Sequence, residues 1–274
     1  MAAKKRRADE LLLEKLNLES LELARALIME GRALSGDSRI TGAAQLLKED
    51  APLRVKGVLN PYVSRGAHKL KKALEVFDLS VKDRCCLDIG CSTGGFTDVM
   101  LRAGARRVYA LDVGYNLLDY RIRSDDRVTV MERTNARFIT PVDFPESPSF
   151  AATDVSFISL KAILPAAFSV LTQDARFVAL IKPQFEAPKE LVGEKGVVRD
   201  PAVHFSVVQE IVRFVDTTDW HAQGLDFSPI TGPEGNIEFL LLMAPGHVDR
   251  SLVDDGCIET TIRSAYDKIF KSVR

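Results

Sequence analysis

Two carboxylates flanking a glycine-rich turn give this sequence its first chemical signal. Residues 87–97 read Leu-Asp-Ile-Gly-Cys-Ser-Thr-Gly-Gly-Phe-Thr: an apolar strand, a turn, and the opening of a helix. The spacing of Gly90, Gly94 and Gly95 departs from the G-x-G-x-x-G of dinucleotide sites. Asp88, just ahead of Gly90, repels a pyrophosphate and attracts a cationic tail. Asp112 ends the next strand candidate, twenty-two residues beyond Gly90. A carboxylate at that place accepts ribose hydroxyls. An adenosyl group with a positive, phosphate-free tail satisfies all three features, so S-adenosylmethionine is the expected cofactor. The residues expected around it are Asp88, Gly90, Ser92, Thr93, Gly94, Gly95, Phe96, Asp112, Val113, Asn135 and Asp154. Asn135 reads equally well as a turn former or as a contact to the adenine edge.

The reacting groups should lie further along. Asp154 closes a fourth strand candidate and Lys182 a fifth. An amino-group methyltransferase usually carries an Asn/Asp-Pro-Pro-aromatic turn after the fourth strand, and none is present. A C5-pyrimidine enzyme needs a cysteine nucleophile, and neither strand end has one. A lysine at the end of a buried strand is rarely left unpaired. Beside a carboxylate its proton affinity can be tuned for proton transfer. A ribose 2′-hydroxyl is a poor nucleophile that must lose its proton as it attacks, and a lysine–aspartate pair suits that task. Plainer readings stay open: Asp154 as a helix cap, Lys182 in a structural ion pair, and the Gly/Pro loop 229–238 as a tight turn.

An alternation of strands and helices must position these groups. Strands are expected at 85–89, 108–113, 128–131, 151–155, 177–181, 225–228 and 238–243. Helices are expected between them, at 96–103, 160–171 and 203–215, with another at 258–273. That pattern predicts an α/β, Rossmann-like domain: a mostly parallel seven-stranded sheet covered by helices on both faces. Ahead of it, a helix at 7–16 and a second capped by Ser20 precede short strands at 32–35, 39–41 and 53–56. This reads as a small α+β domain over residues 1–59, joined by a linker at 60–63 to the larger domain at 64–274.

The 274 residues have a net charge of −1, so nucleic-acid affinity must come from a local patch. One such stretch exists. Residues 53–74 hold Arg54, Lys56, Arg65, Lys69, Lys71 and Lys72 and no acid. No Cys/His spacing fits a metal, so none is expected. Adjacent Cys85 and Cys86 read as core residues of a reducing compartment. No signal core and no membrane-length apolar run is seen, which predicts a cytoplasmic protein.

Several stretches together resemble one family, in order and nearly end to end. They are Tyr-Val-Ser-Arg-Gly-Ala-His-Lys-Leu at 62–70, the turn at 92–97, Asp-Val-Gly-Tyr at 112–115, and Glu-Arg-Thr-Asn-Ala-Arg at 132–137. They continue with Asp-Val-Ser-Phe-Ile-Ser-Leu at 154–160, Lys-Pro-Gln-Phe-Glu at 182–186, and Gly-Asn-Ile-Glu at 235–238. These resemble the TlyA proteins, historically called hemolysin A, which are ribosomal-RNA cytidine 2′-O-methyltransferases. The first sixty residues are similar to the S-four RNA-binding domain. The remainder is similar to FtsJ-type ribose methyltransferases of the class I fold. The resemblance implies a Lys-Asp-Lys-Glu tetrad at Lys69, Asp154, Lys182 and Glu238; Lys69 and Glu238 rest on it alone. It also implies that ribosomal RNA or ribosomal subunits are the partner of a monomeric enzyme. Arg6, Arg7, Arg25, Arg32, Arg54, Lys56, Arg65, Lys71 and Lys72 are the expected RNA contacts. Two rival functions are a non-catalytic ribosome-assembly factor and, from the historical name, a membrane-lytic hemolysin.

Overall fold

A computed structural model describes residues 5–18, 20–57, 61–246 and 252–271. The chain divides into two compact units, Met1–Pro61 and Tyr62–Arg274. The linker expected at 60–63 begins at Asn60, which lies outside the described residues, as do residues 272 and 273 of the last expected helix.

The first unit runs β1 (Lys5–Arg7), α1 (Ala8–Lys15), α2 (Leu21–Met29), β2 (Ala33–Ser35), β3 (Ser38–Arg39), β4 (Leu46–Lys48) and β5 (Leu53–Val55). Ser20 caps α2, its hydroxyl accepting from Leu23 N at 3.2 Å. Ala24, Leu27 and Ile28 turn inward from α2 to meet Ala8 and Leu12 of α1. β2 is central in a three-stranded sheet between β3 and β5, and β1 pairs with β4. The β1–β4 pair was not expected, because Lys5-Arg6-Arg7 carries no apolar alternation.

The second unit contains α3 (Ala67–Val76), β6 (Cys85–Ile89), α4 (Gly95–Arg102), β7 (Arg107–Leu111), α5 (Tyr120–Arg123), β8 (Val128–Met131), β9 (Phe150–Thr153), α6 (Leu164–Ser169), β10 (Arg176–Ile181), α7 (Pro183–Glu186), α8 (Pro201–Asp216), β11 (Trp220–Phe227), β12 (Phe239–Pro245) and α9 (Asp255–Lys271). The sheet order is β11-β12-β10-β9-β6-β7-β8, and β12 pairs antiparallel with both neighbours. The expected seven-stranded, mostly parallel sheet is therefore present. Every residue of β6 is buried, as a parallel strand covered on both faces requires. Apolar residues of α3, α4 and α5 line one face. Those of α6, α8 and α9 line the other.

Three elements differ from expectation. β11 begins at Trp220 rather than 225, because a bulge between Ala222 and Gly224 interrupts the alternation. The helix expected over 160–171 splits into a 3-10 turn at Leu160–Ala162 and the short α6, which carries Pro165 in its first turn. Residues 67–76 read only as part of a cationic run, yet they form α3. Its Ala67, Leu70 and Ala73 are fully buried at helical spacing.

The strand order reverses between the parallel strands β6 and β9: β7 follows β6 on one side and β10 follows β9 on the other. In open α/β sheets such a switch point opens a crevice at the carboxyl ends of the strands. Asp88 and Gly90, Asp112, Asp154 and Lys182 all lie at or just past the carboxyl ends of β6, β7, β9 and β10.

Candidate active site

Lys182 follows the last residue of β10, and Pro183 begins α7 immediately after it. The proline fixes the entry to the helical turn, so Lys182 remains extended and points over the sheet edge. Its Nζ lies 2.6 Å from Asp154 Oδ1 and donates to Ser156 Oγ at 2.9 Å. The other Asp154 oxygen lies 3.1 Å from Lys69 Nζ, which comes from the first turn of α3. Lys69 Nζ in turn lies 2.7 Å from Glu238 Oε2, one residue ahead of β12. The four residues expected as a tetrad thus form one continuous chain: Glu238, Lys69, Asp154, Lys182. Two positive and two negative groups alternate, which is how buried charges are tolerated.

The electrostatics follow from that alternation. Burial opposes ionisation of Asp154, but Lys69 and Lys182 outweigh it and hold the carboxyl below the usual range. Burial likewise opposes the Lys69 ammonium, and Asp154 and Glu238 outweigh it, so its pKa is raised. Glu238 is different. Burial raises its pKa, and Lys69 only partly offsets this while Asp154 repels it.

Two cavities adjoin this chain. One, of about 380 Å³, is walled by Ile89, Leu111, Val113, Ala136, Ile158 and Ile163, with Asp112 and Asn135 as polar members. The other, of about 290 Å³, is lined by Asp88, Thr93, Gly95, Phe96, Asp154 and Lys182 among others. Gly90, Ser92, Asp154 and Ser156 line both. Of the residues expected around the cofactor, only Gly94 lines neither. Gly94 instead sits at φ +94°, where an added Cβ would press on Leu118 at 2.8 Å.

The residues present fit a cofactor with a cationic tail and an adenosine. Asp88 is 1 % exposed, and its Oδ2 accepts from Thr97 N at 2.9 Å and Thr97 Oγ1 at 2.6 Å. Its Oδ1 is buried without a partner. Burial, only partly offset by Thr97, pushes this carboxyl up to about 7. A cationic group in the smaller cavity would supply the missing partner. Asp112 accepts from Ser92 N at 2.9 Å and Gly114 N at 2.7 Å, leaving one lone-pair direction on each oxygen. Asn135 does serve a turn, accepting from Arg137 N at 3.1 Å, and it also lines the larger cavity.

Sequence reasoning missed three neighbours. Ser156 holds Lys182. Phe157 is 90 % exposed at φ +64°, its ring 4.9 Å from that of Phe185. Cys91 lines the smaller cavity, but burial and the Asp88 carboxylate push its thiol up, so it is no ready thiolate. A backbone in the left-handed region gives no signal in a Ser-Phe-Ile sequence.

The expected RNA contacts have varied surroundings. Arg7 and Arg25 both reach the fully buried Asp9, at 2.8 and 3.0 Å. Arg6 pairs with Glu14 and Arg54 with Asp37. Arg32 donates to Lys56 O and pairs with Glu30. Lys71 pairs with Glu75 across the surface of α3. Arg65 and Lys56 are exposed, without an acidic partner among the described residues. Lys72 requires a correction. Its Nζ donates to Phe227 O at 2.6 Å and Asp226 Oδ1 at 2.9 Å and lies over the Phe227 ring. α3 turns it inward against β11, where it is spent on the fold rather than offered to a phosphate. No group of acids, histidines or cysteines among the described residues could hold a metal ion. No described helix is long and apolar enough to cross a membrane.

Comparison with known proteins places this geometry in context. The FtsJ-like methyltransferase family matches residues 62–244. YqxC of Bacillus subtilis is 51% identical over 242 residues, 88% of this chain and 86% of that one. The 16S/23S rRNA (cytidine-2′-O)-methyltransferase TlyA of Mycobacterium tuberculosis is 40% identical over 263 residues, 96% and 98% of the two chains. A solved Streptococcus thermophilus structure that carries the hemolysin name is 43% identical, covers 99% of each chain, and superposes with a TM-score of 0.74. A family match over most of the second unit, and relatives of this similarity over most of the chain, settle where it stands: the chain belongs to the FtsJ-like methyltransferase family.

Proposed function

We propose that the protein methylates a ribose 2′-hydroxyl of ribosomal RNA, on cytidine, with S-adenosylmethionine as methyl donor. One observation carries the reading: the Glu238–Lys69–Asp154–Lys182 chain ends at Asp154 and Lys182, where the two cavities meet. The name of the Mycobacterium tuberculosis relative, an rRNA (cytidine-2′-O)-methyltransferase, supports the choice of substrate.

When bound, S-adenosylmethionine supplies an electrophilic methyl group. Asp88 and the turn from Gly90 to Phe96 would hold its cationic tail, and Asp112, Val113 and Asn135 would hold its adenosine. Lys182 stabilises the alkoxide that develops at the 2′-oxygen. It has a donor to spare, since its remaining protein contact, Asp154 O, is 3.5 Å away. In its neutral form the same nitrogen accepts the hydroxyl proton. Asp154 orients Lys182, while Lys69 and Glu238 fix Asp154 from behind. Phe157 offers an exposed ring to a base turned out of its stack. Much of the acceleration comes from alignment of two bound reactants.

Residues 1–59 are assigned as an S-four-like RNA-binding domain, 60–63 as its linker and 64–274 as the methyltransferase. Arg6, Arg7, Arg25, Arg32, Arg54, Lys56, Arg65 and Lys71 are the RNA contacts in this reading, with Lys72 removed. A monomer acting in the cytoplasm, where ribosomal RNA resides, completes it. The test is incubation with tritiated S-adenosylmethionine and separated ribosomal subunits from a strain lacking the gene. Label in RNA that resists alkaline cleavage at one site is the expected result. No label in either subunit, from protein that binds the donor, overturns it.

A further inference from the structure

We infer that Glu186 is a positioning residue: it clamps the loop carrying Asp154 and Ser156 onto the turn carrying Lys182. The inference rests on the reading of Asp154 and Lys182 as the reacting pair. Glu186 ends α7, four residues after Lys182. Its Oε2 accepts the Ser159 hydroxyl at 2.6 Å and its Oε1 accepts Leu160 N at 2.7 Å. Both partners lie on the segment that leaves β9 through Asp154, Ser156 and Phe157.

The two segments therefore meet at three levels. Lys182 holds Asp154 and Ser156 at the near end. Phe185 packs on Phe157 in the middle. Glu186 fixes the far end. The middle of the loop needs fixing, because Phe157 adopts a left-handed backbone and exposes its ring to solvent.

The chemistry of the clamp is directional. The neighbouring Lys161 pairs with Glu210 at 2.6 Å rather than with Glu186. Its direct partners are one hydroxyl and one amide, both on the loop. Glu186 is half-buried, and a carboxylate partly withdrawn from water depends on such donors staying in place. Leu160 is itself buried, so its amide has no water to turn to. Loop and turn thus hold each other, and the Lys182–Asp154 spacing depends on both ends being fixed. Burial also raises the Glu186 pKa, which the Ser159 and Leu160 donors and the neighbouring Lys161 charge only partly offset.

The test compares full-length wild type with Glu186→Ala, Glu186→Gln and Ser159→Ala. Two readouts are used: amide hydrogen exchange, and methyl transfer to ribosomal subunits. Glutamine keeps an acceptor for Leu160 N and a donor for Ser159 Oγ, so it should exchange and turn over within about twofold of wild type. Alanine should speed exchange in residues 154–162 alone and lower kcat about 10- to 100-fold, with KM for the methyl donor within about twofold. Ser159→Ala, which spares the Leu160 bond, should fall between them and covers the case in which the alanine at 186 does not fold. Unchanged exchange over 154–162, exchange that rises across the whole domain, or unchanged kcat would each overturn the proposal. A wild-type protein that labels no ribosomal RNA sinks the functional reading instead, and the exchange data still decide the clamp.

Discussion

Asp154 shares one carboxylate between two lysines, and the oxygen facing Lys182 makes the shorter contact, 2.6 Å against 3.1 Å for Lys69. Lys182 is thereby held by its acid and by Ser156 on one side and left open to the smaller cavity on the other. Lys182→Ala and Asp154→Asn should each lower turnover about 10²- to 10⁴-fold, the usual worth of a positioned acid–base group. Donor affinity under Lys182→Ala should stay within a few-fold, because in this reading Asp88, Asp112 and the glycine turn carry the donor's contacts. Single-turnover label transfer and calorimetric titration of the donor separate the two quantities. Near-normal turnover in Lys182→Ala would reassign the roles.

Glu238 makes a different kind of contribution. It is 1 % exposed, and its ion pair among the described residues is with Lys69. Replacing it with alanine strands Lys69 beside Asp154 with half its compensation. A loss of about 3–5 kcal/mol in unfolding free energy is expected, as for other broken buried pairs. Urea unfolding of Glu238→Ala measures it. A change below about 1 kcal/mol would show that Lys69 reaches water in the variant.

Asp88 predicts a pH dependence with a definite sign. Folded, it keeps its proton up to about pH 7; unfolded, it loses it near 3.8. Between those values the folded chain binds the extra proton, so this contribution to stability declines as pH rises from about 4 to 7. The full span is on the order of 4 kcal/mol for a shift of this size. Asp88→Asn should flatten that part of the pH–stability curve of the ligand-free protein. Donor binding by wild type should tighten over the same range, since a cationic tail favours the ionised carboxylate. Parallel curves for wild type and Asp88→Asn would remove the assignment.

At Gly95 the prediction is steric. An added Cβ would sit 2.1 Å from Ser64 Oγ and 3.1 Å from the backbone nitrogen of Ala67. The serine can rotate away, while the helix backbone cannot. Gly95→Ala should weaken donor binding about tenfold by pushing the turn of the smaller cavity off α3. The double variant Gly95→Ala with Ser64→Ala should recover part of the loss. Equal affinity in all three proteins would show the turn to be compliant.

Arg65 offers a test of RNA contact. It is exposed and has no acidic partner among the described residues. Arg65→Ala should weaken binding to ribosomal subunits and reduce the slope of log K against log salt by about 1. An unchanged slope would take Arg65 out of the interface.

Much of this was legible from residue types alone. Asp88, Gly90 and Asp112 were readable because strand ends and glycine turns have local signatures. Asp154 and Lys182 were readable because charge at the end of a buried strand is rare. Lys69 was not, since one cation among six in an acid-free run carries no mark of its own until α3 buries it. Lys72 failed for the same reason in the opposite sense: its sequence neighbourhood is that of a phosphate contact, and only the packing of α3 on β11 shows otherwise. Glu186 was quoted within a motif but had no visible task, because its partners lie on a loop from another strand. What a sequence withholds here is long-range pairing, which no local spacing encodes.

The reversed direction of β12 bears on how the site comes into being. A strand running against its neighbours starts at the rim where they end, so Glu238 reaches the rim from late in the chain, while Lys69 reaches it from the first helix of the domain. During synthesis the earlier strands and helices can pair as they emerge, yet Lys69 waits for its second counter-charge until β12 has threaded between β10 and β11. Closure of such a distant contact is among the slow steps of folding. A nascent chain that has not yet reached Glu238 would therefore leave Lys69 and Lys182 sharing the single carboxylate of Asp154. Completion of the charge chain is thereby tied to completion of the sheet.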